Sequence, residues 1–211
     1  MKHKLQFIVA MFALLVFSNS VFAGYNTIDI NTGLDQTNDP ATLYTIGQKD
    51  DFWRLISPSS QSTDVIASVV GWATAQPNSQ WISPGAVSGT FYVYERCFCL
   101  NNPEKALIML SLRADNRANL FLNDYSQNIL QTTKDYSFAP SRKPAETKTD
   151  KGFVKGKNCI RVIVQNDGGA TGFNLVGTVS GNGAQQIANQ CCRETQKLFT
   201  SKQPTALVNA P

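Results

Sequence analysis

The chain has 211 residues, 42% hydrophobic and 16% charged, with a formal net charge of +4 and one histidine, His3. That size suits one folded domain with its own core, and the nearly balanced charge excludes the basic patch or stripe of a nucleic-acid-binding protein. Beyond residue 3 there is no imidazole, which excludes Ser-His-Asp and Cys-His catalysis and the histidine-based zinc and copper sites.

Taken in chain order, Lys2 and Lys4 precede an apolar run over 5–17 interrupted only by Gln6, and Val21, Phe22 and Ala23 follow a polar Ser-Asn-Ser. This is the layout of a secretory signal peptide spanning 1–23 and cleaved before Gly24. The run falls short of the ~20 residues needed to cross a bilayer, and no later run approaches that length. The mature chain is therefore expected outside the cytoplasm, secreted, periplasmic or on the cell surface, with no membrane span after signal removal.

Residues 24–49 read as an N-terminal extension or first strand. Short β segments follow at 51–56, 67–72, 91–100, 106–113, 119–122, 129–132, 159–166 and 173–179, with Asn, Asp, Gly, Pro and Ser clustered between them. Several alternate in polarity, as antiparallel strands of a sandwich do. The densest basic stretch, 148–157, reads as a solvated connector. The expected fold class is all-β, with one departure. Over 183–199 the spacing of Ala184, Ile187, Ala188, Cys191 and Leu198 predicts a short amphipathic C-terminal helix, and 200–211 a flexible tail.

Five cysteines in an exported chain point to disulfides. The period of two places Cys97 and Cys99 on one strand face and Phe98 and Leu100 on the other. Cys159 likewise lies opposite the inward set Ile160, Val162 and Val164. The C-terminal helix is expected to cover the cysteine-bearing surface. One of Cys97 and Cys99 should then bridge Cys159, and the other should bridge Cys191 or Cys192. The leftover vicinal cysteine would be a free thiol or a link to a second copy.

Several motifs resemble the galactose-binding-like jelly-roll module of bacterial surface proteins and carbohydrate-active enzymes. They are Trp81-Ile82-Ser83-Pro84, the run around Tyr92, Tyr94 and Phe98, Arg113-Ala114-Asp115-Asn116, and Asn123. The closing set is Phe153, Gly156, Asn158, Ile160, Val162, Val164 and Asn166, followed by Thr171-Gly172-Phe173-Asn174-Leu175. The resemblance covers about 50–181. It implies an antiparallel jelly-roll β-sandwich of eight or more strands, often holding structural calcium and sometimes binding sugar through loops at one end. Asp124-Tyr125 stands where such modules often show Asn-Gly, and the cysteines and terminal helix are additions to the pattern.

Candidate ligand-binding residues are Trp72 and Trp81, whose rings could stack on a sugar face, and Arg113, Asp115 and Asn116, whose polar groups could bond its hydroxyls. The alternative for the tryptophans is a place in the core, and for Asp115 and Asn116 a turn bonded to its own backbone. Trp53, inside an apolar run, is expected in the core. Asp39, Asp50 and Asp51 are candidate calcium ligands, although no run of acidic residues resembles an EF-hand loop. The expected function is a secreted, non-catalytic carbohydrate-binding or adhesive module without a cofactor, whose partner is a glycan or cell-surface component. The alternatives are a subunit of an extracellular assembly joined through the odd cysteine and, more weakly, a glycosidase using paired carboxylates.

Overall fold

The computed structural model describes residues 25–186, apart from 38–39, 86–88, 127 and 133–136. The signal segment, Asp39, Cys191, Cys192, most of the expected helix and the expected tail fall outside those residues. Among the described residues every regular element is a strand and every pairing is antiparallel. No helix among them is long and apolar enough to cross a membrane.

The strands are β1 (Tyr25–Asp29), β2 (Leu34–Asp35), β3 (Thr42–Leu43), β4 (Lys49–Ser57), β5 (Gln61–Ile66), β6 (Trp81–Ser83) and β7 (Phe91–Leu100). They continue as β8 (Asn102–Asp115), β9 (Arg117–Leu122), β10 (Asn128–Gln131), β11 (Ala145–Thr149), β12 (Gly156–Gln165), β13 (Gly172–Asn182) and β14 (Gln185–Gln186). One ladder runs β10-β9-β12-β7-β4-β5-β6-β13-β8-β11, with β1 added to β13 and β14 to β7, while β2 and β3 form a separate pair.

Alternation explains why these segments pair this way. In β9 every second residue, Ala118, Leu120 and Leu122, is buried, and in β12 Ile160, Val162 and Val164 are fully buried. The register joins Ile160 to Leu122 and Val162 to both Leu120 and Tyr94, so one face carries a continuous apolar surface. That surface meets the far half of the ladder. Tyr94 on β7 and Phe173 on β13 are four strands apart, yet their ring centroids lie 4.7 Å apart, and Trp53 on β4 meets Phe173 edge-on at 5.2 Å. The ladder therefore folds back over a common core that includes Leu55, Leu112 and Leu175.

The structure adds strands at Gln61–Ile66, Trp81–Ser83 and Ala145–Thr149 that the sequence reading left as connections, and it departs from that reading in other places too. The segment 67–72 is a loop, not a strand: Trp72 N–H donates to Val69 O across a tight turn, Gly71 has φ +92°, and Val70 is fully solvent-exposed. Part of the basic connector is strand, because Lys148 lies in β11 opposite Met109. The expected helix does not begin at 183. Gly183 takes φ +63° and turns the chain so that Gln185 and Gln186 pair with Cys99 and Phe98.

Candidate functional site

At one end of the ladder the chain leaves β5 at Ile66, β6 at Ser83, β8 at Asp115 and β12 at Gln165, and enters β7 at Phe91 and β13 at Gly172. The connections made there enclose an open cleft of about 420 Å³. Its apolar wall is Ile66, Pro84 and Tyr92, its polar groups belong to Ser83, Asn166 and Thr171, and the rest of its lining is glycine and Ala170. Among the described residues no side chain lining it carries a charge.

The segment 166–171, which supplies Asn166, Gly169, Ala170 and Thr171 to this lining, is held by backbone-directed bonds. Asn166 N–H donates to Thr90 O at 2.8 Å, and Asp167 N–H donates to the Asn116 side-chain oxygen at 2.7 Å. The Thr171 hydroxyl donates to Asp115 O at 2.9 Å, and its oxygen retains lone pairs to accept with. The Arg117 guanidinium bonds the Asp167 carboxylate at 3.0 Å, and with Gln165 it holds that carboxyl below its usual range. Gly172 is required where this segment re-enters the sheet, because a Cβ there would stand 2.5 Å from Ile82 O.

Beneath these loops the tertiary structure gathers the residues singled out from sequence. Trp72 Nε1–H donates to Asp115 Oδ2 at 2.9 Å, and the Trp72 and Trp81 rings lie 4.4 Å apart. Trp81 is fully buried and Trp72 is 7% exposed, with Trp81 Nε1–H donating to Ala73 O at 3.0 Å. The ring surfaces considered for sugar stacking are thus applied to each other and to protein. Arg113 donates from Nη1 to Ser137 O and Ala139 O, both at 3.3 Å. Asn116, the remaining candidate, is not among the residues that line the cleft, and its side-chain oxygen ties down the 166–171 segment by accepting from Asp167 N–H.

Asp115 is 6% exposed, and its Oδ1 is buried without a hydrogen-bond partner. Burial pushes its carboxyl up to about 6, the nearby Asp167 charge adds to the rise, and the Trp72 bond opposes it. The folded protein therefore holds a proton at Asp115 that the unfolded chain releases near the ordinary value of 3.8, so stability falls as pH rises between roughly 4 and 6. Asp115→Asn keeps an acceptor for Trp72 and cannot ionise. The variant is expected to lack that part of the decline and to exceed the parent at pH 8 by up to about 3 kcal/mol, as urea unfolding across the pH range would measure. Equal pH slopes for variant and parent would refute this.

Of the three acidic residues considered for calcium, Asp50 and Asp51 lie among the described residues, and both accept hydrogen bonds from protein groups. Asp50 Oδ2 accepts from Gly33 N–H at 2.7 Å, and its Oδ1 accepts from Phe52 and Trp53 N–H at 2.9 Å each. Asp51 accepts from the Tyr44 hydroxyl at 3.3 Å.

Cys97 and Cys159 form a disulfide, directly opposite each other on β7 and β12. Cys99 is disulfide-bonded as well. The cleft residues Ser83, Asn166 and Thr171 were visible in sequence only as positions of a family likeness. Their one local signal was Asn166-Asp167-Gly168-Gly169, a turn-forming run directly after a strand.

Over the described residues fold and site together define an antiparallel β protein with a small cleft of uncharged lining among its strand-end loops. No protein-family model and no curated protein matches the chain. Among solved structures it is similar to a family 35 carbohydrate-binding module from an environmental isolate, at 15% identity and a TM-score of 0.40, over 66% of this chain and 96% of that one.

Proposed function

We propose that the protein is an exported, non-catalytic module that binds a neutral, hydroxyl-rich ligand of the carbohydrate class in the strand-end cleft, and that its ladder is a two-layered sandwich of jelly-roll type. The lining of the cleft carries this reading. Small residues leave backbone N–H and C=O groups within reach, Ser83, Asn166 and Thr171 add a hydroxyl-amide set, and Ile66, Pro84 and Tyr92 offer an apolar wall. An uncharged mixture of this kind complements a sugar, which presents hydroxyl edges and C–H faces together. The cleft's volume of about 420 Å³ lies within the range of small-ligand pockets. Export is supported by the amino-terminal pattern and by the disulfides, which persist in oxidising compartments.

In this reading Trp72, Trp81, Arg113, Asp115 and Asn116 act from behind the cleft, fixing the loops whose surfaces meet the ligand. A panel of neutral oligosaccharides titrated calorimetrically into the mature protein is the test. A binder is expected whose affinity changes little between low and moderate salt, and Asn166→Ala and Thr171→Ala should each weaken it about tenfold, the loss of one or two hydrogen bonds. Affinity that collapses with salt would instead indicate a polyanion. A glycan bound equally well by both variants would remove the cleft from the binding surface.

The glycosidase alternative has one observation in its favour. Asp115 and Asp167 are near enough for the charge of one to raise the other, with burial pushing Asp115 up while Arg117 holds Asp167 down. Release of sugar from chromogenic glycosides by the parent but not by Asp115→Asn would favour that reading over simple binding.

A further inference from the structure

The outer face of the β7–β12 pair carries a chemistry that the cleft does not use. With Tyr94 and Phe98 turned inward, Glu95 and Cys97 share the outward face of β7, and the register sets Arg161 opposite Glu95 and Cys159 opposite Cys97. A carboxylate oxygen of Glu95 and the two sulfurs all lie within 4.8 Å of one another. Glu95 is also fixed in orientation, since Arg161 bonds its Oε2 from Nε at 2.8 Å and from Nη2 at 2.7 Å. Arg161 is itself anchored by a bond from Nη1 to Asn123 O at 2.9 Å and lies over the Tyr125 ring.

We infer that Glu95, Cys97 and Cys159 form a redox-gated binding site for a thiophilic divalent metal ion of the zinc class. In the oxidised protein the sulfurs are committed to their disulfide and the site is closed. A dithiol reductant delivers two electrons to the S–S bond, which breaks and takes up two protons, while the dithiol closes to its own disulfide. The metal ion then displaces both thiol protons to solvent and accepts an electron pair from each thiolate.

Zinc–sulfur bonds of about 2.3 Å in a tetrahedral site put the sulfurs roughly 3.8 Å apart. Cysteines whose Cα atoms are 4.0 Å apart on directly opposed strands reach that separation by side-chain rotation alone. Glu95 supplies the third ligand, with Arg161 orienting it from behind as an outer-shell partner. The fourth position faces solvent, for the Glu95 and Arg161 side chains are each 21% exposed. Charge balances as well: two thiolates and one carboxylate offset the divalent ion and the Arg161 guanidinium. Thiolate donors select zinc-class ions over calcium and magnesium. A bound ion would tie β7 to β12 again in place of the disulfide.

The test is a titration of the mature protein with Cd²⁺ as probe, in a background where Cys99, Cys191 and Cys192 are replaced by serine so that only Cys97 and Cys159 can supply thiolate. It is run before and after reduction by a water-soluble phosphine, with Cd²⁺ also present during reduction to hold a chain that unfolds without it. Ultraviolet thiolate-to-metal absorption is expected only after reduction and saturating at one ion per chain. The thermal midpoint of the reduced protein should rise on the order of 5 °C at a large excess of ion over its dissociation constant. Glu95→Gln, which leaves the disulfide in place, should weaken Cd²⁺ at least about tenfold, and Cys97→Ser should abolish the absorption. Absorption before reduction, its survival in Cys97→Ser, or parent-like affinity in Glu95→Gln would each overturn the assignment.

Discussion

Asp50→Ala is expected to lower the unfolding free energy at neutral pH by at least about 3 kcal/mol, among the largest effects available from a single residue here. Asp50 is 1% exposed and accepts three backbone N–H groups, from Gly33, Phe52 and Trp53. Each buried donor left without a partner costs about 1–3 kcal/mol, and the three are not additive because they share one carboxylate. A second loss comes from Arg96, a 3% exposed cation whose guanidinium bonds Asn31 O, Asp29 O and Gln36 Oε1. Burial pushes Arg96 down to about 10 and the negative charge of Asp50 pulls it back up, so it stays protonated at neutral pH. Without Asp50 that charge loses the largest of the charge interactions that offset its burial, leaving those of Asp29 and Tyr44. Urea unfolding should show a lower midpoint at an unchanged slope. A loss under about 1 kcal/mol would mean that the 31–34 segment and β4 are held together by something other than this carboxylate.

Replacing Cys97 and Cys159 together by serine is expected to cost about 4 kcal/mol. The bridge closes a loop of sequence separation 62, and the chain-entropy relation assigns a loop of that length about 4 kcal/mol through restriction of the unfolded state. The pair must be replaced together, since a single variant leaves one thiol able to exchange with the disulfide at Cys99. Because the effect acts on the unfolded chain, the denaturant slope should rise as the midpoint falls. A double variant matching the parent in midpoint and slope would show that β7 and β12 are equally constrained in the unfolded chain without the bridge.

Local alternation made part of the fold legible. The run 91–100 was expected as a strand and is β7 over the same residues, because Tyr92, Tyr94 and Phe98 repeat with a period of two and a strand is the conformation that buries them on one side. The same parity put Cys97 and Cys159 on a common face, where they are bridged. The run 67–72 misled for a related reason: Val69 and Val70 are as apolar as strand residues, but composition does not report whether another strand is there to receive them. Here Gly71 turns the chain and leaves Val70 in solvent.

The candidate site was legible only in fragments. Trp72 and Asp115 are 43 residues apart in sequence, and nothing near either one announces a hydrogen bond between them. Asn166 and Thr171 are ordinary polar loop residues until the segment between them is fastened to Thr90, Asp115 and Asn116.

By itself the sequence determined what depends on neighbours along the chain: antiparallel β structure over the described residues, the inward and outward faces of the longer strands, and an absence of histidine beyond residue 3 that rules out imidazole chemistry. Tertiary structure alone decided that Trp72 and Trp81 stack on each other, that Asp50 clamps backbone, that Asp115 is buried with an unsatisfied oxygen, and that the cleft is walled by small uncharged residues. The physical reason is range. Strand parity is set by covalent geometry over two residues, whereas burial, pKa and cleft shape depend on which distant segments the folded ladder brings together.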